Sequence, residues 1–319
     1  MAPAEGMLES RATLGEGRHK FVANRWWSGR AAVQSAAENW PRGTERVDLV
    51  ALLLLAALTL LYATVVGELA RLWANDPYAG HGMFVPAYSA FLLWFDRRRL
   101  AAIPRRREPA GALFILTALA LLWMGRRADS ITIEGLSLVI AVAGGVLWRF
   151  GAQRLRATAF PIVFLILMLP LPRALVDMIT LRVQTFHAQF SSVVLDVAGV
   201  PHVQRGPYIE LPTTTLIVAE GCNGLRFLMA LVTLAAAFAQ VSQRTIGRKV
   251  LVVALAVPLA VIANGFRVSA LSLAAWHLGP QAAAGLIHYS IGKTLWAGTL
   301  AVLAAIGILL RRGGHRAAG

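Results

Sequence analysis

The stretch Val250-Leu251-Val252-Val253-Ala254-Leu255-Ala256-Val257-Pro258-Leu259-Ala260-Val261-Ile262-Ala263-Asn264-Gly265-Phe266-Arg267 decides the fold. It opens an apolar run that reaches His277 and carries one formal charge, Arg267. A run of about 18 or more apolar residues marks a membrane span. In lipid the backbone must satisfy its own polar groups, and a helix does so within itself. The whole chain agrees, at 57% hydrophobic and 15% charged, with a mean hydropathy of +0.61. Working outward gives further spans near 47–66, 83–95, 110–124, 131–148, 157–171, 223–241 and 291–310. The predicted class is an all-α polytopic membrane protein of about eight transmembrane helices. Residues 1–46 read as a cytoplasmic N-terminal tail, 47–310 as the eight-helix membrane domain and 311–319 as a cytoplasmic C-terminal tail. No cleavable signal peptide is expected, because a long polar stretch precedes the first apolar run.

The net charge of +15 does not indicate nucleic acid, because the basic residues flank apolar runs in short loops. With eight spans, one side collects 22 Lys and Arg and the other six. The positive-inside rule then predicts both termini in the cytoplasm. Asp76 to Gly82, the 173–221 segment, Cys222 and the 278–290 loop are then expected outside. In a cell with two membranes this is the inner membrane, with the site periplasmic.

The 173–221 segment breaks the pattern. Arg173 to Ala198 mixes charge with apolar residues at helical spacing, which predicts a helix on the membrane surface. Tyr208–Leu211 and Thr215–Val218 read as a short β-hairpin, with a turn at Arg205-Gly206-Pro207. The insert delivers the chain to Ala219-Glu220-Gly221-Cys222-Asn223-Gly224-Leu225-Arg226, which holds the only cysteine in 319 residues. A thiol at the start of a helix meets unpaired N–H groups and the positive end of the dipole, and both favour the nucleophilic thiolate. The blander reading is a buried Cys that only packs.

Arg267 lies roughly 26 Å along its span from Val250, near the outer edge of a core about 30 Å thick. A charge within a span is functional by default, although an Arg can also snorkel to headgroups. Cys222, Arg267 and His288 at one depth suit acyl transfer by thiolate, base and oxyanion-binding guanidinium. Arg226, one turn after Cys222, is a rival cation. His81, His187, His202 and His277 fall on the same side and read as idle. A zinc site needs three or four ligands at productive spacing, so neither metal nor cofactor is expected.

The motifs Val218 to Arg226, Ala263-Asn264-Gly265-Phe266-Arg267-Val268 and Leu286-Ile287-His288-Tyr289-Ser290-Ile291-Gly292 resemble, in this order, those of the exosortase/archaeosortase family. Asp76 to Pro86 resembles the family's Tyr-Ser-His-Gly…Pro segment. Asn223 stands where Ser is common, and Tyr78 to Gly82 is one residue longer than the family pattern. The resemblance implies a membrane cysteine peptidase or transpeptidase with Cys222, Arg267 and His288 as its catalytic residues. It also implies the partners: membrane-anchored exported proteins with a C-terminal sorting signal of the PEP-CTERM type, and an envelope acceptor, in a system linked to exopolysaccharide. The alternative is a non-enzymatic transporter or assembly factor for polysaccharide export, which would show broken helices at the bilayer midplane.

Overall fold

The computed structural model describes residues 49–218, 224–283 and 285–316. The expected N-terminal tail and Cys222 lie outside the described residues. Eleven helices follow one another among those residues: α1 (Leu49–Asn75), α2 (Phe84–Phe95), α3 (Arg97–Ala101), α4 (Ala110–Arg127), α5 (Ile131–Phe150), α6 (Ala152–Ala157), α7 (Ala159–Phe164), α8 (Arg173–Val197), α9 (Leu225–Ser242), α10 (Ile246–Leu278) and α11 (Gly285–Arg316). Short 3-10 turns cover Gly80–Met83, Leu165–Met168 and Pro280–Ala283.

Six helices are long and apolar enough to cross a membrane. Among the described residues the count becomes seven if α7 with its 3-10 extension and α8, bent by 73°, form one broken span, and stays at six if they form a re-entrant loop. The expected count of about eight included α2, which has only 12 residues. The outside of the bundle is apolar: Leu60, Phe84, Leu113 and Trp123 are exposed by 63–77%. In water such a surface is untenable, and in lipid it is the matched face.

Three apolar clusters organise the interior. The first joins α1, α2, α4, α5 and α7 around Val65, Leu69, Val85, Ala118 and Phe164. The second joins α8, the sheet and α10 around Leu195, Ile209 and Ala275. The third joins α9, α10 and α11 around Leu231, Val252 and Leu303. Tyr88 on α2 donates to the Ala237 carbonyl on α9 at 2.9 Å, tying the first cluster to the third. Lipid tails are as apolar as side chains, so small residues that allow close backbone approach do much of the packing. The α4–α5 hairpin shows this. Gly111, Ala118 and Gly125 are buried along one stripe of α4. A Cβ on Gly111 would sit 2.5 Å from the Trp148 Cβ.

The bundle has two ends. At one, the Arg154 guanidinium on α6 donates to the carbonyls of Leu100 (2.7 Å) and Ile103 (2.9 Å). At that end also, Gln243 donates to the Gly307 carbonyl at 2.7 Å. The other end carries Gly224 and His288. Counting along α9 from Gln243 to Leu225, or along α11 from Gly307 to His288, separates the two ends by roughly 28 Å. That matches a hydrocarbon core of about 30 Å.

The insert holds a three-stranded antiparallel sheet, where a two-stranded hairpin was expected: β1 (Val203–Arg205), β2 (Tyr208–Leu211) and β3 (Thr214–Ile217) in order β1-β2-β3. Ile209 pairs with Gln204 on one side and Leu216 on the other. Alternation puts Ile209 and Leu211 inside and leaves Tyr208 exposed. His202 ties the sheet to α8, with Ser192 Oγ donating to its Nε2 at 2.7 Å. The last helix continues beyond the expected boundary at 310, through Arg316.

Replacing Gly111 by Val should force α4 and α5 apart. Overpacking of this kind costs about 1–3 kcal/mol. Titration with a denaturing detergent should show the loss, while the same change at Gly145, whose Cβ position is open, should be nearly silent.

Candidate active site

Helix α10 is 33 residues long and contains Pro258. At ~1.5 Å per residue it extends to about 50 Å, well beyond a 30 Å core. It carries Asn264 and Arg267 one turn apart on one face. Both lie near the Gly224 end, some 27–32 Å from Ile246.

Arg267 Nη2 donates to His288 Nε2 at 2.8 Å. A guanidinium has donors only, so Nε2 of His288 supplies the lone pair. Its N–H is therefore on Nδ1 in this geometry. His288 sits in the first turns of α11, where a loop from Leu278 to Ser290 was expected. Gly292, one turn further, lies under the guanidinium: a Cβ there would be 3.4 Å from Arg267 Nε. The Nε–H of Arg267 is buried and has no acceptor among the described residues. An unmet buried donor costs about 1–3 kcal/mol.

Cys222 lies outside the described residues. The nearest described residue after it is Gly224, with φ of 79°. A Cβ on Gly224 would lie 2.8 Å from Asn264 Cγ. Helix α9 thus starts against Asn264, one turn from Arg267. The structure brings Arg267 and His288 into contact and sets the Gly224 turn beside them.

Three of the histidines expected to be idle, His81, His187 and His202, are engaged in hydrogen bonds. His187, expected in an outer segment, is only 1% exposed on α8. Asn264 Nδ2 donates to its Nδ1 at 3.1 Å, and its Nε2–H donates to the Val261 carbonyl at 3.1 Å. Sequence spacing gave no sign of this pair. His81 donates from Nε2 to the Leu167 carbonyl at 3.1 Å. Burial pushes its pKa below the ordinary 6.5, against the opposing effect of its backbone bonds at Leu167 and Tyr78. Trp73 Nε1 donates to Met168 at 2.9 Å across Gly82, where a Cβ would strike the indole. His277, in the last turn of α10, is exposed.

A cavity of about 690 Å³ opens at this end. Asp76, His81, Arg173, Asp177 and Arg226 contribute its charged or titratable lining. It is walled by the 72–81 segment, the 169–173 bend, the start of α8 and the first turn of α9. Arg226 lines this cavity, and neither Arg267 nor His288 is among the described residues that line it. Among the described residues no three His, Cys, Asp or Glu converge as metal ligands.

The family profile described as transmembrane exosortase (Exosortase_EpsH) matches residues 73–306. The chain belongs to the transmembrane exosortase family. All the exosortase motif residues discussed above, from Asp76 to Gly292, lie inside the matched region. Membership supports a membrane transpeptidase role in general terms. No curated protein and no solved structure matches the chain.

Two outcomes follow from this geometry. Gly224→Ala meets both a positive φ and Asn264, and should cost on the order of 1–3 kcal/mol. Gly292→Ala meets only ordinary contact and should cost much less, as read by the same detergent titration. The lowered pKa of His81 also has a defined sign. The unfolded chain takes up this proton first, so the stability His81 contributes is present above pH 6.5. It is lost as pH falls below 6.5 through the folded value. His81→Gln should flatten the drop in unfolding midpoint between pH 7 and 5; an unchanged slope would exclude His81 as its source.

Proposed function

We propose that this exosortase is an integral-membrane cysteine peptidase or transpeptidase. It cuts the C-terminal sorting signal, of the PEP-CTERM type, from exported proteins at the outer face of the inner membrane, in a system linked to exopolysaccharide. The observation that carries this reading is the Arg267–His288 hydrogen bond beside the Gly224 turn. Covalent geometry keeps Cys222, two residues earlier, within about 7 Å of Gly224.

The chemistry is nucleophilic acyl transfer. His288 takes the thiol proton, and Sγ of Cys222 forms a bond to the scissile carbonyl carbon. The carbonyl electron pair moves to oxygen, and the Arg267 guanidinium donates hydrogen bonds to that oxyanion. Collapse breaks the C–N bond, and His288 returns the proton to the leaving amine. The thioester is then resolved by an acceptor amine or by water, which regenerates the thiol. The Nε2 lone pair of His288 is engaged by Arg267 at rest. A guanidinium that swings to the substrate oxygen releases that lone pair for the thiol proton. Substrate arrival and base activation are thereby one event.

Several features support an outward site. The basic loops cluster at the Gln243 end, as the positive-inside rule requires of a cytoplasmic face. Hydrogen bonds tie α8 to α10 at Val261, Asn264 and Ser272, in the part nearest the Gly224 end. That arrangement suits a helix lying over the outer surface. The 690 Å³ cavity under its first turns is a groove for the substrate segment flanking the scissile bond. Against the transporter reading, α10 runs unbroken through Pro258 and Asn264.

Cys222→Ala should abolish processing of a co-expressed sorting-signal protein, and Cys222→Ser should nearly do so. Arg267→Lys keeps the charge but loses the planar fork. Its loss should be roughly 10²–10³ in rate, the scale of a lost oxyanion donor. Processing by a normally accumulating Cys222→Ala protein would refute the enzyme. Topology has its own test. An impermeant maleimide should label Cys222 in spheroplasts and should miss Arg98→Cys in a Cys222→Ser background; the reverse pattern would invert the site.

A further inference from the structure

A buried polar pair joins α8 to α10, and the acyl-transfer chemistry does not use it. His187 is 1% exposed and Asn264 3%. Asn264 Nδ2 donates to His187 Nδ1, and His187 Nε2–H donates to the Val261 carbonyl, both at 3.1 Å. Burying two polar side chains between apolar helices is costly even when they are bonded. Docking alone does not require them. Phe190 packs its ring on Gly265, and Ala188, Leu195, Val268 and Ala275 bury together along the same interface.

The pair differs from those contacts in what lies beyond it. The Asn264 side chain is confined between His187 on one side and the Gly224 backbone on the other. A Cβ on Gly224 would be 2.8 Å from both Cγ and Nδ2 of Asn264. Gly224 holds φ of 79°, a conformation that needs its surroundings to fix it. Rotation of the Asn264 amide would move the atoms that Gly224 rests on. The hydrogen bond to His187 opposes that rotation, and the Val261 bond fixes which ring nitrogen is the acceptor.

We propose that His187 is a positioning residue: through Asn264 it fixes the turn at Gly224, two residues along the chain from Cys222, and so sets the reactivity of that thiol. This rests on Cys222 being the nucleophile. Its test does not need a substrate, because the chain has one cysteine.

The measurement is the second-order rate of Cys222 alkylation by iodoacetamide, on the purified full-length protein in detergent micelles. His187→Ala should change that rate at least fivefold from the wild-type value. In denaturant the two proteins should react alike. His187→Gln, which retains one acceptor and one donor, should stay within twofold of wild type. Ser191→Ala removes a different α8–α10 contact, the Ser191–Ser272 bond of 3.4 Å, and should also stay within twofold. If His187→Ala fails to accumulate, His187→Phe keeps the ring volume and removes both polar atoms. An alkylation rate within twofold of wild type in either variant would overturn the proposal. So would an equal change in Ser191→Ala, which would reduce His187 to general docking of α8. These results are separate from the enzyme reading, which fails only if Cys222→Ala still processes substrate.

Discussion

Helix α10 is longer than the membrane is thick, and the site depends on that mismatch. A helix of 33 residues measures about 50 Å, against a core of about 30 Å. Its first half packs in the apolar bundle with α9 and α11. Its last third rises past the Gly224 end, where α8 and the sheet cover it. Asn264 and Arg267 occupy the boundary between these regions. There a guanidinium can be held by protein on one side and reached by a polar group on the other. Placed two turns nearer Ile246, the same charge would face the full cost of the hydrocarbon.

That boundary also explains the hydrogen bonds found there. Polar side chains at the edge of lipid must be bonded to one another, and they are: Arg267 to His288, Asn264 to His187, His187 to Val261. The exception is Arg267 Nε–H, which has no acceptor among the described residues. The glycines complete the fit. Gly292 leaves room for the guanidinium, Gly224 for the Asn264 amide and Gly265 for the Phe190 ring. Three helices, α8, α9 and α11, are thus brought close enough to α10 for their side chains to meet it.

The long apolar runs and the charge of Arg267 were legible in the sequence, because composition and depth along a helix are local properties. The common level of Arg267 and His288 also followed, from counting along one span and from the alternation of the loops. Other features depend on distant partners. The spacing of Leu175, Ile179, Val183 and Phe186 predicts an amphipathic helix but not what covers it, so His187 read as idle. Its partner, Asn264, is 77 residues away. Pro212 masked the continuity of the sheet, and Val203–Arg205 was too short to register as a strand beside the turn that follows it. His288 read as a loop residue because no apolar run begins before Ile291, yet α11 starts at Gly285.

The proposed mechanism requires the Cys222 thiol to reach the imidazole of His288 at the head of α11. With one native cysteine, a single substitution supplies the second thiol. In His288→Cys, a short bismaleimide should bridge the new thiol and Cys222 within one chain, detected as a peptide pair after digestion. Leu309→Cys, at the opposite end of α11, should carry reagent singly without bridging. Two singly labelled thiols in His288→Cys, with no bridge, would contradict the account.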